Sequence, residues 1–210
     1  MSREFRTAVI LAGGKSQRMG FDKQAIKING EYLIQLIIEK LKTIGFEAFI
    51  IVSNKPSFYV DLQLGDDVKV VVDAIEDCGP LGGIYTGLVH SRDQKVFFTA
   101  CDMPELNESY IKYMMERIKK DEKAMAVVTK FGQWIEPFCG FYTKELAGDI
   151  VEYVAKGKRK IQPFLSEQSV IYIEEIEARK FSPDWKMFRN INTFEELIRF
   201  DSIYAKNIIE

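Results

Sequence analysis

Six short runs of mainly apolar, often β-branched residues punctuate the chain: TAVILA (7–12), AFIIVS (48–53), VKVVVD (68–73), VFFTAC (96–101), AMAVVT (124–129) and VIYIEE (170–175). Runs of this length without polar alternation read as strands covered on both faces. Helical spacing fills the stretches between them. In GEYLIQLIIEKLKTIG (30–45), Leu33, Leu36, Ile37, Lys40, Leu41 and Ile44 keep a helical period, and Gly45 stands where a C-cap belongs. Further helices are expected from Leu81 to Ser91, from Glu108 to Lys120, from Lys144 to Lys156, and from Thr193 onward. Alternating strand and helix predicts an α/β fold with a mostly parallel sheet flanked by helices.

The chain has 210 residues and 47% hydrophobic content, enough for one good core and too little for two comfortable domains. A single domain over residues 1–210 is expected. Its 29 basic and 31 acidic residues leave a net charge of −2, so no overall field draws it to nucleic acid or anionic lipid. Any phosphate chemistry must be local. The three cysteines, Cys78, Cys101 and Cys139, form no CxxC pair and fit a reducing, cytoplasmic setting. No segment reaches the roughly 18 apolar residues of a membrane span.

Open parallel sheets bind ligands beyond the carboxyl ends of their strands. Gly13-Gly14, Ser53-Asn54, Asp73 and Cys101-Asp102 follow the first four runs, so one rim gathers a glycine loop and two carboxylates. Glycines after a buried strand let backbone N–H groups approach phosphate oxygens, and Lys15, Arg18 and Lys23 add positive charge to the same loop. This is not a P-loop, because Gly14-Lys15-Ser16 would need a glycine at position 9, which is Val9. A plain turn with solvated cations remains the competing reading.

LAGGKSQRMGFDK (11–23) resembles the signature of the molybdenum cofactor guanylyltransferases within the wider nucleotidyltransferase group. Val72-Asp73, Gly79-Pro80-Leu81-Gly82-Gly83, Cys101-Asp102-Met103-Pro104 and Asn190-Ile191-Asn192-Thr193-Phe194-Glu195-Glu196-Leu197 look like further blocks of that family, in its order. The resemblance implies a Rossmann-like, nucleotide-diphospho-sugar transferase-like fold and GMP transfer from GTP to molybdopterin or its molybdenum form. It also implies Mg2+ as cofactor and contact with molybdenum cofactor synthesis or acceptor proteins.

Carried over residue by residue, the resemblance assigns nucleotide binding to Leu11, Ala12 and Gly13 with Gly14 adjoining, and to Lys23, Asn54, Asp73 and Asp102. Lys23 and Arg18 are the candidate catalytic cations, the first offsetting phosphoryl charge and the second holding the leaving diphosphate. Each could instead be a solvated or anchoring loop residue. Asp102 is the candidate metal ligand, a hard oxygen at a strand end, against a turn-forming aspartate before Pro104. Asp73 is either a ribose or metal-shell contact or an Asx-turn. Residues 79–83 read as helix N-terminal amides facing the nucleotide or as small residues for close packing.

On the pterin side the resemblance assigns Asn190 and Asn192, although Thr193 and Glu196 also make a capping box. Lys158, Arg159 and Lys160 are a second place for an anionic substrate, or simply the cations of a helix C-terminus. Phe138, Phe141 and Tyr142 are expected in the core, Cys101 as a small buried residue, and His90 without a role. Two rival functions stay open: a cytidylyltransferase for the same pterin, and a non-catalytic nucleotide-binding or cofactor carrier module. A sugar-phosphate nucleotidyltransferase is disfavoured by the Asn-x-Asn-Thr block.

Overall fold

The computed structural model describes residues 5–13, 23–75, 77–193 and 195–200. The first strand, β1 (Thr7–Leu11), is buried at every position. Its side chains divide by alternation: Ala8 and Ile10 enter one core, Val9 and Leu11 the other. A covered sheet needs this pattern, and it explains why the run carries no polar residue after Thr7.

A two-residue hairpin follows, β2 (Lys27–Ile28) and β3 (Glu31–Tyr32), turned by Asn29 (φ 50°) and Gly30 (φ 87°). Two consecutive positive φ values are what an Asn-Gly hairpin turn supplies. Helix α1 (Leu33–Ile44) starts at the first residue of the helical spacing, with Glu31 and Tyr32 before it spent on the hairpin. Gly45 ends it at φ 111°, its amide reaching the Leu41 and Lys42 carbonyls.

The succession β4 (Ala48–Val52), β5 (Val68–Val71), α2 (Pro80–His90), β6 (Lys95–Ala100), α3 (Glu108–Lys120) and β7 (Ala126–Phe131) matches the expected alternation. Then β8 (Trp134–Thr143) returns as a strand no apolar run announced, before α4 (Leu146–Ala155), α5 (Ile161–Ser166), β9 (Val170–Glu174) and α6 (Glu175–Ala178). A last helix covers 195–200. The sheet order is β5-β4-β1-β6-β8-β7-β9, and β8 alone runs against the others.

β8 escaped notice because Pro137 and Gly140 interrupt its apolar residues. The structure uses them at an irregularity where the β7 register shifts between Val127 and Thr129. A Cβ on Gly140 would lie 2.7 Å from the Val127 carbonyl oxygen.

Helices α1 and α3 cover one face of the sheet through Ile37, Ile38, Leu41, Ile111 and Met114; α2 and α4 cover the other through Leu81, Ile84, Leu88 and Ile150. Helix α2 lies very close to the strands. A Cβ on Gly87 would sit 2.6 Å from the Phe98 ring and 2.8 Å from Val9. Among the described residues no helix is long and apolar enough to cross a membrane.

Candidate active site

The carboxyl ends of β1, β4 and β6 open into a cleft of about 540 Å3. Leu11, Ala12 and Gly13 form its floor, held by hydrogen bonds from Ala12 N to Val52 O (2.9 Å) and from Cys101 N to Leu11 O (3.1 Å). The strand ladder thus continues on both sides of β1 up to the rim. A Cβ on Gly13 would meet nothing closer than 3.9 Å, so what that glycine provides is backbone access rather than relief of a clash. Gly14 and Arg18 lie outside the described residues. Lys23 begins a short 310 turn over Lys23–Ala25, and its side chain too is outside the description.

One wall is the start of α2. Gly79, the N-cap, has φ 53° and ψ −137°, a conformation open to glycine, and no side chain among the described residues caps the helix. Gly79, Pro80 and Gly83 line the cleft, as does Asp73. Gly82 permits a close approach, as the packing reading of this segment expects: a Cβ there would lie 2.6 Å from Ile75 O and 2.9 Å from both Asp73 carboxylate oxygens. Asp73 makes the Asx-turn, accepting from the Ile75 amide (3.2 Å), and the Thr86 hydroxyl lies 3.0 Å from the same oxygen. That hydroxyl accepts from the Ala74 amide (2.9 Å), and its one proton serves either Asp73 or the Gly82 carbonyl (2.8 Å).

The opposite wall carries Asp102, only 8% exposed, directly after β6. Its carbonyl accepts from the Ile191 amide (2.8 Å), which ties the 190–191 segment to this strand end. Asn190 consequently lines the same cleft, and its Oδ1 is a buried acceptor with no hydrogen-bond partner among the described residues. Asn192 is exposed and belongs to the capping element. Thr193 Oγ1 accepts from Glu196 N (3.1 Å), while Glu196 Oε2 accepts from the amides of Asn192 (2.7 Å) and Thr193 (3.0 Å). Asn54 lines the cleft beyond β4.

Gln24 and Glu136 went unremarked in the sequence. Gln24 lines the cleft at 8% exposure. Phe138 belongs to the cleft wall as well as packing on the core, which corrects its assignment to the core alone; Phe141 and Tyr142 are fully interior as expected. Glu136 accepts from the Phe138 amide (2.8 Å). Asp102 stands three residues past Thr99 and Glu136 three before Cys139, so the two carboxylates share the end of the β6–β8 pairing. Burial pushes the Glu136 carboxyl up to about 7; the Phe138 amide opposes this and the Asp102 charge adds to it.

A carboxyl whose folded pKa lies above its unfolded value of 4.5 binds a proton more tightly in the folded chain. Stability then falls as pH rises through that window, by at most about 3 kcal/mol. Melting temperatures measured in EDTA between pH 5 and pH 8 (about the titration range) are expected to decline more in the wild type than in Glu136→Gln. Parallel declines would remove Glu136 as the cause.

A second, more open depression shares Pro80 with the cleft and is lined by Trp134, Arg159 and Lys160. Lys158 pairs with Glu167 (2.9 Å) and Arg159 donates to the Val154 and Lys158 carbonyls, so part of this charge does serve the end of α4. His90 bonds the Thr86 carbonyl within α2, outside the cleft lining. All three cysteines are buried thiols, with Cys101 at the cleft floor.

A glycine-floored cleft at the strand ends of a mostly parallel sheet, with one carboxylate beside an orphaned amide oxygen, defines a nucleotide-binding α/β protein equipped for phosphate chemistry. Residues 8–171 match the MobA-like NTP transferase domain, and the chain belongs to that family. It is 45% identical over 193 residues to a molybdenum cofactor guanylyltransferase from Syntrophotalea carbinolica, covering 92% of this chain and 89% of that protein. The crystal structure of molybdopterin-guanine dinucleotide biosynthesis protein A from Archaeoglobus fulgidus superposes with a TM-score of 0.79 at 25% identity, over 95% of this chain and 99% of that one. The CMP:2-keto-3-deoxy-manno-octonic acid synthetase structure, at 10% identity and a TM-score of 0.71, shares the fold.

Proposed function

We propose that this chain, as one nucleotidyltransferase domain, transfers GMP from GTP to the terminal phosphate of molybdopterin or its molybdenum form. A phosphate oxygen of the pterin attacks the α-phosphorus, the bond to the β-phosphate oxygen breaks, and diphosphate leaves. The attacking phosphate is already a nucleophile, so no covalent enzyme intermediate is needed, and catalysis rests on alignment and charge neutralisation. The observation that carries this reading is Asp102, held at the mouth of β6 in the same cleft as the Leu11–Gly13 backbone.

Mg2+ fits the donors present. Asp102 offers a carboxylate and Asn190 an orphaned buried carbonyl oxygen, both hard ligands. Nucleotide phosphates and water would complete the coordination of such an ion. The ion supplies Lewis-acid polarisation of the phosphate oxygens when bound.

The chain's residues do the rest. Leu11, Ala12 and Gly13 bring backbone up to the nucleotide, with Gly14 next in sequence; the start of α2, whose Gly79, Pro80 and Gly83 line the cleft, would offer its amides to phosphate. Lys23 and Arg18 are assigned to the triphosphate by their motif positions, and Asp73 and Asn54 to the nucleotide from the rim. Asn190 and Asn192 stand for the pterin approach, which the Trp134, Arg159 and Lys160 depression extends with an aromatic face and two cations. Cytoplasmic work alongside cofactor synthesis and acceptor proteins belongs to the same proposal.

Purified protein incubated with Mg2+, molybdopterin and one nucleoside triphosphate at a time is expected to release diphosphate with GTP, and not when pterin is omitted. Preferential turnover of CTP would make the chain a cytidylyltransferase. Nucleotide binding without any release would make it a carrier module.

A further inference from the structure

The strand order supplies a direction across the cleft. Asp102 and Asn190 stand at the end of β6, β1 comes next, and β4 with Ser53 and Asn54 lies beyond it. Two strand spacings are about 10 Å, the scale that separates a nucleotide's α-phosphate from its base. If phosphate chemistry sits at Asp102, the base falls on the β4 side. There the cleft changes character: Gln24 and Asn54 supply carboxamides, and Leu11 and Val52 apolar surface. Neutral donors and acceptors beside apolar surface suit the edge and face of a nucleobase.

The orientation of one of these amides is fixed by a hydrogen-bond chain. The Lys55 amide donates to Ser53 Oγ (3.0 Å), and Ser53 is fully buried. The buried Ser53 hydroxyl proton needs an acceptor of its own, and Gln24 Oε1 supplies one at 2.7 Å. An amide NH2 in that position would take this acceptor away from the buried hydroxyl proton, so the oxygen end of Gln24 faces Ser53 and the Nε2 end is turned from it.

We propose that Gln24, oriented by Ser53, determines base specificity as a hydrogen-bond donor, selecting bases that present a ring carbonyl and rejecting those that present an exocyclic amino group in its place. Guanine and hypoxanthine are accepted by this rule, adenine and cytosine refused. The inference rests on the nucleotidyl-transfer reading above, and adds to it a residue outside every motif block that identified the family. The sign of the selection follows from Ser53. A glutamate at position 24 would still accept from Ser53 with one oxygen, yet turn an acceptor outward and favour an amino group.

The test is a set of binding titrations with GTP, ITP, ATP and CTP on wild type, Gln24→Glu and Ser53→Ala, each first checked for a cooperative melt. Wild type is expected to bind GTP and ITP at least tenfold more tightly than ATP and CTP. In Gln24→Glu that preference should collapse by tenfold or more through weaker GTP binding together with stronger ATP or CTP binding. Ser53→Ala, which frees the amide to rotate, should narrow the preference while keeping GTP affinity within a few-fold. A folded Gln24→Glu that keeps the wild-type preference overturns the inference and leaves nucleotidyl transfer standing, as does a wild type that binds all four nucleotides alike. If Gln24→Glu fails to melt cooperatively, Ser53→Ala decides alone: an unchanged preference overturns the inference. A wild type that binds no nucleotide sinks the functional reading itself.

Discussion

Asp102→Ala is expected to lower Mg2+-dependent diphosphate release by about a thousandfold or more, a loss of about 4 kcal/mol in transition-state stabilisation. The variant should fold. What fastens this strand end is backbone, the Asp102 carbonyl accepting from Ile191 and the Cys101 amide donating to Leu11, and neither bond uses the carboxylate. A second readout follows the same charge. Asp102 helps hold the Glu136 carboxyl high, so its removal should shift the pH dependence of stability toward lower pH in the metal-free protein. Asp102→Asn keeps the shape and should be nearly as inactive. Release within tenfold of wild type in a folded Asp102→Ala would take Asp102 out of the metal site.

The strands and helices that bury both faces were legible, because a strand covered on both sides is mostly apolar, and β1, β4 and β6 depart from this only at Thr7, Lys95 and Thr99. The carboxyl-end rim was legible for a related reason: chain direction alone says where the loops gather. β8 was not, since Pro137 and Gly140 serve its irregular pairing and break the pattern that would have announced it. Missing β8 meant missing the charge of Glu136 near Asp102 and leaving Phe138 to the core alone, whereas the antiparallel strand beside β6 brings Phe138 to the cleft.

Spacing hid one further residue and left two others undistinguished. Gln24 directly follows the motif, yet its contact is with Ser53, 29 residues away, and nothing local advertises a buried amide. Asn190 and Asn192 look equivalent in sequence. The structure separates them: the Ile191 bond to Asp102 carries Asn190 into the cleft, while the Glu196 carboxylate holds the Asn192 amide in an exposed cap.

Gly82→Ala is expected to cost both stability and nucleotide affinity. An alanine inside a helix ordinarily gains up to about 1 kcal/mol over glycine. Here the added methyl would lie 2.6 Å from the Ile75 carbonyl oxygen and 2.9 Å from each Asp73 oxygen, so backbone or a bonded carboxylate has to move. Overpacking of this kind costs about 1–3 kcal/mol. The Asp73 side chain would be driven off the Ile75 amide and the Thr86 hydroxyl, and the cleft wall with it, so GTP should bind about tenfold more weakly or worse, a loss of about 1.4 kcal/mol. Gly148→Ala in α4 is the control, because a Cβ there meets nothing within 4 Å and the helix should gain stability. Urea midpoints and GTP titrations on both variants separate the two roles of residues 79–83. A destabilised Gly82→Ala that binds GTP normally would mean that the start of α2 is built for packing alone. Weakened binding would mean that the same close approach sets the position of Asp73 against the nucleotide.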